Sequence, residues 1–295
     1  MALKISKDPA ALICGSVAYD TILVFPDRFK AHILPDKLHT LNVSFLVPEM
    51  RREFGGCAAN IAYGLNLLGD RGVAMATAGH DFAPYRERML SQGLSIEHIK
   101  QVEGTFTAQA FITTDLDDNQ ITAFHPGAMQ FAHLNKVADA GPGITLGIVA
   151  PDGRQAMIEH AAQFEAAAIP FIFDPGQGMP MFGGDELKTF IRQARWVAVN
   201  DYEWGMLQQK TGLTATEVAS QVEALIVTLG SEGSMIYTKG RTLTIPSAKP
   251  NTVVDPTGCG DAYRAGLIHG LLRGLDWETI GRTASLMGAI KIESR

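Results

Sequence analysis

The sequence predicts a single α/β domain, spanning 1–295, with a mostly parallel central sheet, helices on both faces and a small β lid. Three observations predict it. Short, near-continuous apolar runs such as "GITLGIVA", "WVAVN" and "ALIVTLG" recur along the chain, as expected of strands buried on both faces. Segments of helical length separate them. The 295 residues, 46% apolar and 19% charged, suffice for one large core and stay near the single-domain ceiling of roughly 250–300.

The elements follow in order. "ALICGSV" (11–17) reads as a compact strand, and "AANIAYGLNLLG" (58–69) as a helix stopped by Gly69. "GVAMATAG" (72–79) is a strand, and "DFAPYRERMLSQG" (81–93) a helix closed by Gly93. "GITLGIVA" (143–150) is a strand, followed by a helix over 152–168 with Asp152 as its N-cap. "PFIFD" (170–174), "WVAVN" (196–200) and "ALIVTLG" (224–230) are further strands with helices between them. Two regions break the pattern. "KLHTLNVSFLV" (37–47) alternates loosely, as a half-exposed strand does, and 107–129 reads as two strands around the turn "LDDNQ". Together, over about 37–47 and 107–127, they predict a β-rich lid. An antiparallel extension of the main sheet is the other reading.

A formal net charge of −6 argues against a nucleic-acid partner. Cys14, Cys57 and Cys259 are odd in number and far apart, which reads as reduced thiols. "MALKISKDPA" has no apolar signal-type core, and no apolar run approaches the ~20 residues of a membrane span. The expectation is a soluble, cytoplasmic protein without membrane partners.

The chemistry concentrates in "DPTGCGDAYRAG" (255–266). There is no G-x-x-x-x-G-K-[ST] and no early G-x-G-x-x-G, so neither a P-loop nor a dinucleotide site is indicated. A glycine turn feeding a helix offers outward-pointing N–H groups to an anion. Gly258, Cys259 and Gly260 can cup a transferring phosphoryl group, and Asp261 can accept the proton of an attacking hydroxyl. An aspartate that merely caps the helix is the competing reading. At the other end of the chain "FGGCAANIAYGL" (54–65) opens a second helix with a glycine pair, and Asn60 lies one turn into it. "GSVAYD" ends the first strand with Asp20, suited to a pair of vicinal hydroxyls at a carboxyl strand end.

These stretches resemble the ribokinase, or PfkB, family of carbohydrate and nucleoside kinases over essentially the whole chain. "GGCAANIA" (55–62), "NDYE" (200–203), "TLGSEGS" (228–234) and "DPTGCGDAYRAG" match its four motifs in order. The resemblance implies a ribokinase-like fold, ATP as phosphate donor and Mg2+ as its companion. It implies Asp261 as catalytic base, with Gly258, Cys259 and Gly260 as the anion hole. Ser16, Asp20, Gly55, Gly56 and Asn60 would bind the sugar. Asn200 and Glu203 would organise Mg2+ through water, with Thr228, Gly230 and Gly233 on the ATP side. Asp255 and Thr257 fall where relatives bind an activating monovalent cation such as K+. Cys259 stands where the family usually has alanine, and only its backbone N–H is needed. Relatives commonly run on past the position of "GAIKIESR", so no adenine-pocket residue is assigned there. A homodimer is the oligomer allowed for.

"DAYRAG" and "NQITAFHPGAM" (119–129) resemble, within that family, bacterial and archaeal nucleoside kinases of the adenosine-kinase type. Arg264, one turn after Asp261, either reaches a phosphate or is a solvated helix residue. Phe111, Phe124 and His125 either stack on a base or pack the lid to the body. His160 reads as a helix-surface residue. The expected substrate is a nucleoside phosphorylated on its ribose 5′-hydroxyl. A free sugar such as ribose or fructose is the alternative, and a non-catalytic nucleoside or sugar binder the third reading.

Overall fold

The apolar runs pair into one sheet of nine strands among the described residues, in the order β13-β12-β11-β10-β9-β8-β1-β4-β5. The computed structural model describes residues 9–33, 42–117 and 119–294. β1 (Ala10–Cys14) lies between β4 (Arg71–Ala78) and β8 (Ile144–Val149), parallel to both. β5 (Ile99–Gln101), β9 (Phe171–Phe173), β10 (Trp196–Asn200) and β11 (Ala224–Thr228) continue the parallel array. β12 (Ser234–Thr238) and β13 (Arg241–Ile245) close one edge as an antiparallel hairpin.

Alternate strand residues enter two separate cores. Ala11, Ile13, Ala74 and Ala76 pack with α2 (Cys57–Leu67), α3 (Ala83–Ser91), α8 (Cys259–Leu272) and α9 (Trp277–Ile292). Leu12, Cys14, Val73 and Met75 pack on the other face with α4 (Arg154–Ala166), α5 (Gly184–Gln193), α6 (Asp201–Thr211) and α7 (Ala215–Gln221). A period of two places successive residues on opposite faces, which is why these runs are apolar throughout.

A second sheet, ordered β3-β2-β6-β7, stands apart from the first. It contains β2 (Ala18–Val24), β3 (Glu49–Gly55), β6 (Ala108–Thr114) and β7 (Gln120–His125), with the short helix α1 (Phe29–His32) between β2 and β3. The hairpin expected at 107–129 is present as β6 and β7. Of the strand expected at 37–47, residues 37–41 lie outside the described residues and 42–47 form no strand. The sheet's edge on that side is β3, whose charged residues pair with β2 in register from Ala18–Gly55 to Val24–Glu49. The chain passes between the sheets at 15–17, 56, 102–107 and 126.

Two local expectations change. The helix after β8 is capped by Gly153, not Asp152. Asp152 is buried; its Oδ1 accepts from the Gly153 N–H at 2.8 Å, its Oδ2 has no partner, and burial pushes its carboxyl up to about 8. His160 is buried too, with Nε2 3.1 Å from the Asn135 carbonyl. Among the described residues no helix is long and apolar enough to cross a membrane, and the three cysteines are free.

Candidate active site

Two helices begin at the same place. On α2, Asn60 Nδ2 donates to Asp261 Oδ2 on α8 at 2.8 Å. One turn further along each helix, a Cβ added at Gly64 would lie 2.6 Å from the Ala265 Cβ, so the helices are in direct contact there. This close approach carries Asn60 to Asp261. The helix α8 starts after Gly258, which sits at φ 77°. Asp261 is its third residue, and its carboxylate caps nothing: the cap is backbone only. Burial pushes the Asp261 carboxyl up to about 6, against the Asn60 hydrogen bond that lowers it; Asp174 and Asp20 raise it further and Arg264 opposes them. In the turn, the Cys259 N–H donates to the Pro256 carbonyl at 3.2 Å and the Ala262 N–H to the Gly258 carbonyl at 2.9 Å. Helix geometry leaves the N–H groups of Gly260 and Asp261 without an intrahelical acceptor.

Asp20 does not end the first strand. β1 stops at Cys14, the chain leaves the main sheet through Gly15–Val17, and Asp20 is the third residue of β2. It still lies near enough to Asp261 for its charge to raise that carboxyl. Gly55 is a close neighbour: a Cβ there would lie 2.4 Å from Asp20 Oδ2. Burial raises the Asp20 carboxyl, and the facing Glu53 raises it further. Gly56, at φ 96°, makes the turn into α2 where a side chain would meet the Ser16 carbonyl at 2.6 Å. Ser16 in turn holds the start of α2, its carbonyl accepting from the Ala58 N–H at 3.0 Å and its Oγ from the Cys57 N–H at 3.4 Å. Tyr85 Oη donates to the Gly55 carbonyl at 2.7 Å and fixes the same turn from α3.

Register separates the two candidate aromatic residues. Phe124 pairs with Ala110, which pairs with Asp20, so Phe124 shares the Asp20 face of the small sheet. Phe111 pairs with Thr21 and lies on the opposite face, as does His125 through Gln109 and Tyr19. Phe111 and His125 are therefore not brought to the site with Asp20.

On the other side, Asn200 and Glu203 form a capping box at the start of α6. Asn200 Oδ1 accepts from the Glu203 N–H at 2.7 Å, and Glu203 Oε2 accepts from the Asn200 N–H at 2.8 Å. Burial raises the Glu203 carboxyl, and the charge of Asp174 adds to it. Thr228 is the register partner of Asn200 at the carboxyl end of β11. Gly230 and Gly233 flank the tight turn that follows, closed by the Leu229 N–H on the Gly233 carbonyl at 2.8 Å. Asp255 Oδ1 accepts from the Thr257 N–H at 2.9 Å. Its carboxyl lies below the usual value, because that bond, with Lys291 and Arg51, outweighs the effect of burial.

Arg264 does not face water. It is 5% exposed and bound by both fork nitrogens to Asp174, itself 5% exposed. Asp174, missed in the sequence, follows β9. The rule that flagged Asp20, an acid at the carboxyl end of a strand, applies to "PFIFD" with better reason.

Comparison with known proteins identifies the family of the chain. The pfkB family carbohydrate kinase profile matches residues 17–295. The chain is 32% identical over 293 residues to a nucleoside kinase of Methanothermobacter thermautotrophicus, covering 98% of this chain and 91% of that one. A Burkholderia thailandensis nucleoside kinase in complex with inosine superposes with a TM-score of 0.87 at 52% identity, over 97% of this chain and 91% of that chain. The structure of that enzyme in complex with ADP-inosine gives a TM-score of 0.84 at 54% identity, over 97% and 89%.

Proposed function

Because the chain belongs to the pfkB family of carbohydrate kinases, we propose that it transfers the γ-phosphoryl group of ATP to the ribose 5′-hydroxyl of a nucleoside. The observation that carries this reading is the Asn60–Asp261 contact. It sets a carboxylate, raised to about 6, beside the free N–H groups of a helix start and within reach of the Asp20 charge. Likeness to nucleoside kinases, one of them complexed with inosine, favours a nucleoside over a free sugar.

Asp20 and Asn60 hold the ribose hydroxyls, with Gly55 and Gly56 allowing close approach and Phe124 on the same lid face to meet the base. The 5′-oxygen attacks the γ-phosphorus, its proton passes to Asp261, and the bond to the β-phosphate oxygen breaks to release ADP. The N–H groups of Gly260 and Asp261, with Gly258 and Cys259 shaping the turn, receive the charge on the moving phosphoryl oxygens. Thr228, Gly230 and Gly233 line the ATP side.

Among the described residues no group of three or more His, Cys, Asp or Glu side chains is arranged to hold a metal ion. Mg2+ bound mainly by phosphates and water needs no such cage, and the oxygen donors of Asn200 and Glu203 suit it. When bound, it neutralises charge on the ATP phosphates. Asp255, ionised and beside Thr257, is the fitting anchor for K+. The small sheet acts as the lid of one domain, a homodimer is the proposed assembly, and free thiols fit a cytoplasmic setting.

A coupled assay of ADP release across nucleosides and free sugars tests this. Turnover with inosine or adenosine is the expected result. Much faster phosphorylation of ribose or fructose overturns the nucleoside reading.

A further inference from the structure

A buried ion pair needs a reason. Removing two charges from water costs more than their attraction often returns, and apolar replacements are frequently neutral or stabilising. Arg264 and Asp174 are both nearly solvent-free, and their contact is bidentate: Nε to Oδ2 at 3.1 Å, Nη2 to Oδ1 at 2.9 Å. Arg264 lies one turn after Asp261 on α8. Asp174 is held by its own N–H on the Val149 carbonyl at 2.9 Å, so it belongs rigidly to the ends of β8 and β9. The far end of α8 is fixed separately, by His269 and Arg273 on Asp70.

We propose that the Arg264–Asp174 pair is a positioning device for phosphoryl transfer. It pins the N-terminal half of α8, and with it Asp261 one turn earlier, to the carboxyl ends of β8 and β9. The fork supplies orientation as well as attraction, which a single-point contact would not. The inference rests on Asp261 as proton acceptor.

The pair also acts on Asp261 through its charges, and in opposite senses. Asp174 holds the Asp261 proton more tightly and Arg264 less tightly. In the intact pair the two act against each other. The other groups facing Asp261 are Asn60 and Cys57 from α2, Cys259 on α8 itself, Tyr85 from α3 and Asp20 from β2, with Glu203 near the pair on α6. Burial keeps Cys57 and Tyr85 un-ionised throughout an assay range.

The test is a four-cornered series: wild type, Asp174→Asn, Arg264→Gln and the double variant, with the acid limb of nucleoside kcat/KM followed against pH. Asp174→Asn should move that limb to lower pH and Arg264→Gln to higher pH, each by about 1 unit. The double variant should return close to wild type. A merely structural role would move both singles alike, or neither, and that result overturns the proposal. Arg264→Lys keeps the charge and loses the fork, so kcat should fall roughly tenfold with the limb in place. Wild-type kcat in Arg264→Lys removes the positioning role, even where the other singles fail to fold. Asp261→Asn separates the two readings. A limb that survives it refutes Asp261 as base, whereas a limb that vanishes there yet ignores the pair refutes only the pair.

Discussion

Asn60 and Asp261, 201 residues apart in the chain, meet at 2.8 Å because two helices that start at one point touch again a turn later, at Gly64 and Ala265. The contact gives the carboxylate a fixed direction while leaving one oxygen for an incoming hydroxyl. It also separates two roles for Asp261 that sequence alone left open, since α8 is capped without its side chain.

Asp261→Asn should therefore lower kcat by roughly 10²–10⁴-fold, the usual contribution of a general base. The amide oxygen can still accept from Asn60, so nucleoside binding should persist and kcat and kcat/KM should fall together. Asp20→Asn is the matched control and should chiefly weaken acceptor binding. Near-normal turnover in Asp261→Asn would refute the base.

The same carboxyl sets a pH dependence. With Asp261 raised to about 6, activity should decline as pH falls through that value. Its effect on stability has the opposite sense. Its folded-state value lies above the unfolded ~4, so between about pH 4 and 6 the native state binds more protons and stability falls as pH rises. Asp261→Asn should accordingly raise Tm relative to wild type at pH 7.5, and not at pH 4. Calorimetry at both values checks the sign; a lower Tm at pH 7.5 contradicts it.

Gly55→Ala should act through Asp20. The added methyl would meet Asp20 Oδ2 at 2.4 Å, and the carboxylate, not the backbone, must move. Losing a hydrogen bond to a charged group costs about 1.5–3 kcal/mol, so nucleoside KM should rise roughly 10- to 100-fold. The KM for ATP should stay within a few-fold. Equal loss for both substrates would place Gly55 elsewhere in the mechanism.

Glu203→Gln offers a clean probe of the metal side, because glutamine completes a capping box as glutamate does. Helix α6 should stay intact by circular dichroism and thermal unfolding. The Mg2+ concentration needed for half-maximal rate should rise by more than the nucleoside KM does. A change confined to nucleoside affinity would sink the assignment.

The main sheet was legible because strands buried on both faces are apolar at every position. The motifs were legible because phosphate chemistry demands glycines and acids at strand and helix ends. β3 was not: "EMRREFG" is exposed and charged, and only pairing with β2 makes it a strand. The same sheet change moved Asp20 from the end of β1 into β2. Arg264 misled for another reason. Its partner lies 90 residues away, and no local pattern distinguishes a buried fork from a solvated one.

The small sheet joins the body through four chain crossings and through Tyr19, buried in the body's core, and it contributes its own hydrogen-bond ladder rather than extending the larger one. Such a unit can open without the rest of the protein, so its backbone amides should exchange with deuterium well before those of β1 and β8. A nucleoside held between Asp20 on this sheet and Asp261 on the body must be released before the sheet can open. By mass action, ligand at about 100 times its Kd would slow that opening exchange by about 100-fold. Amide exchange in β6 and β7 thus becomes a gauge of acceptor affinity that needs neither ATP nor turnover.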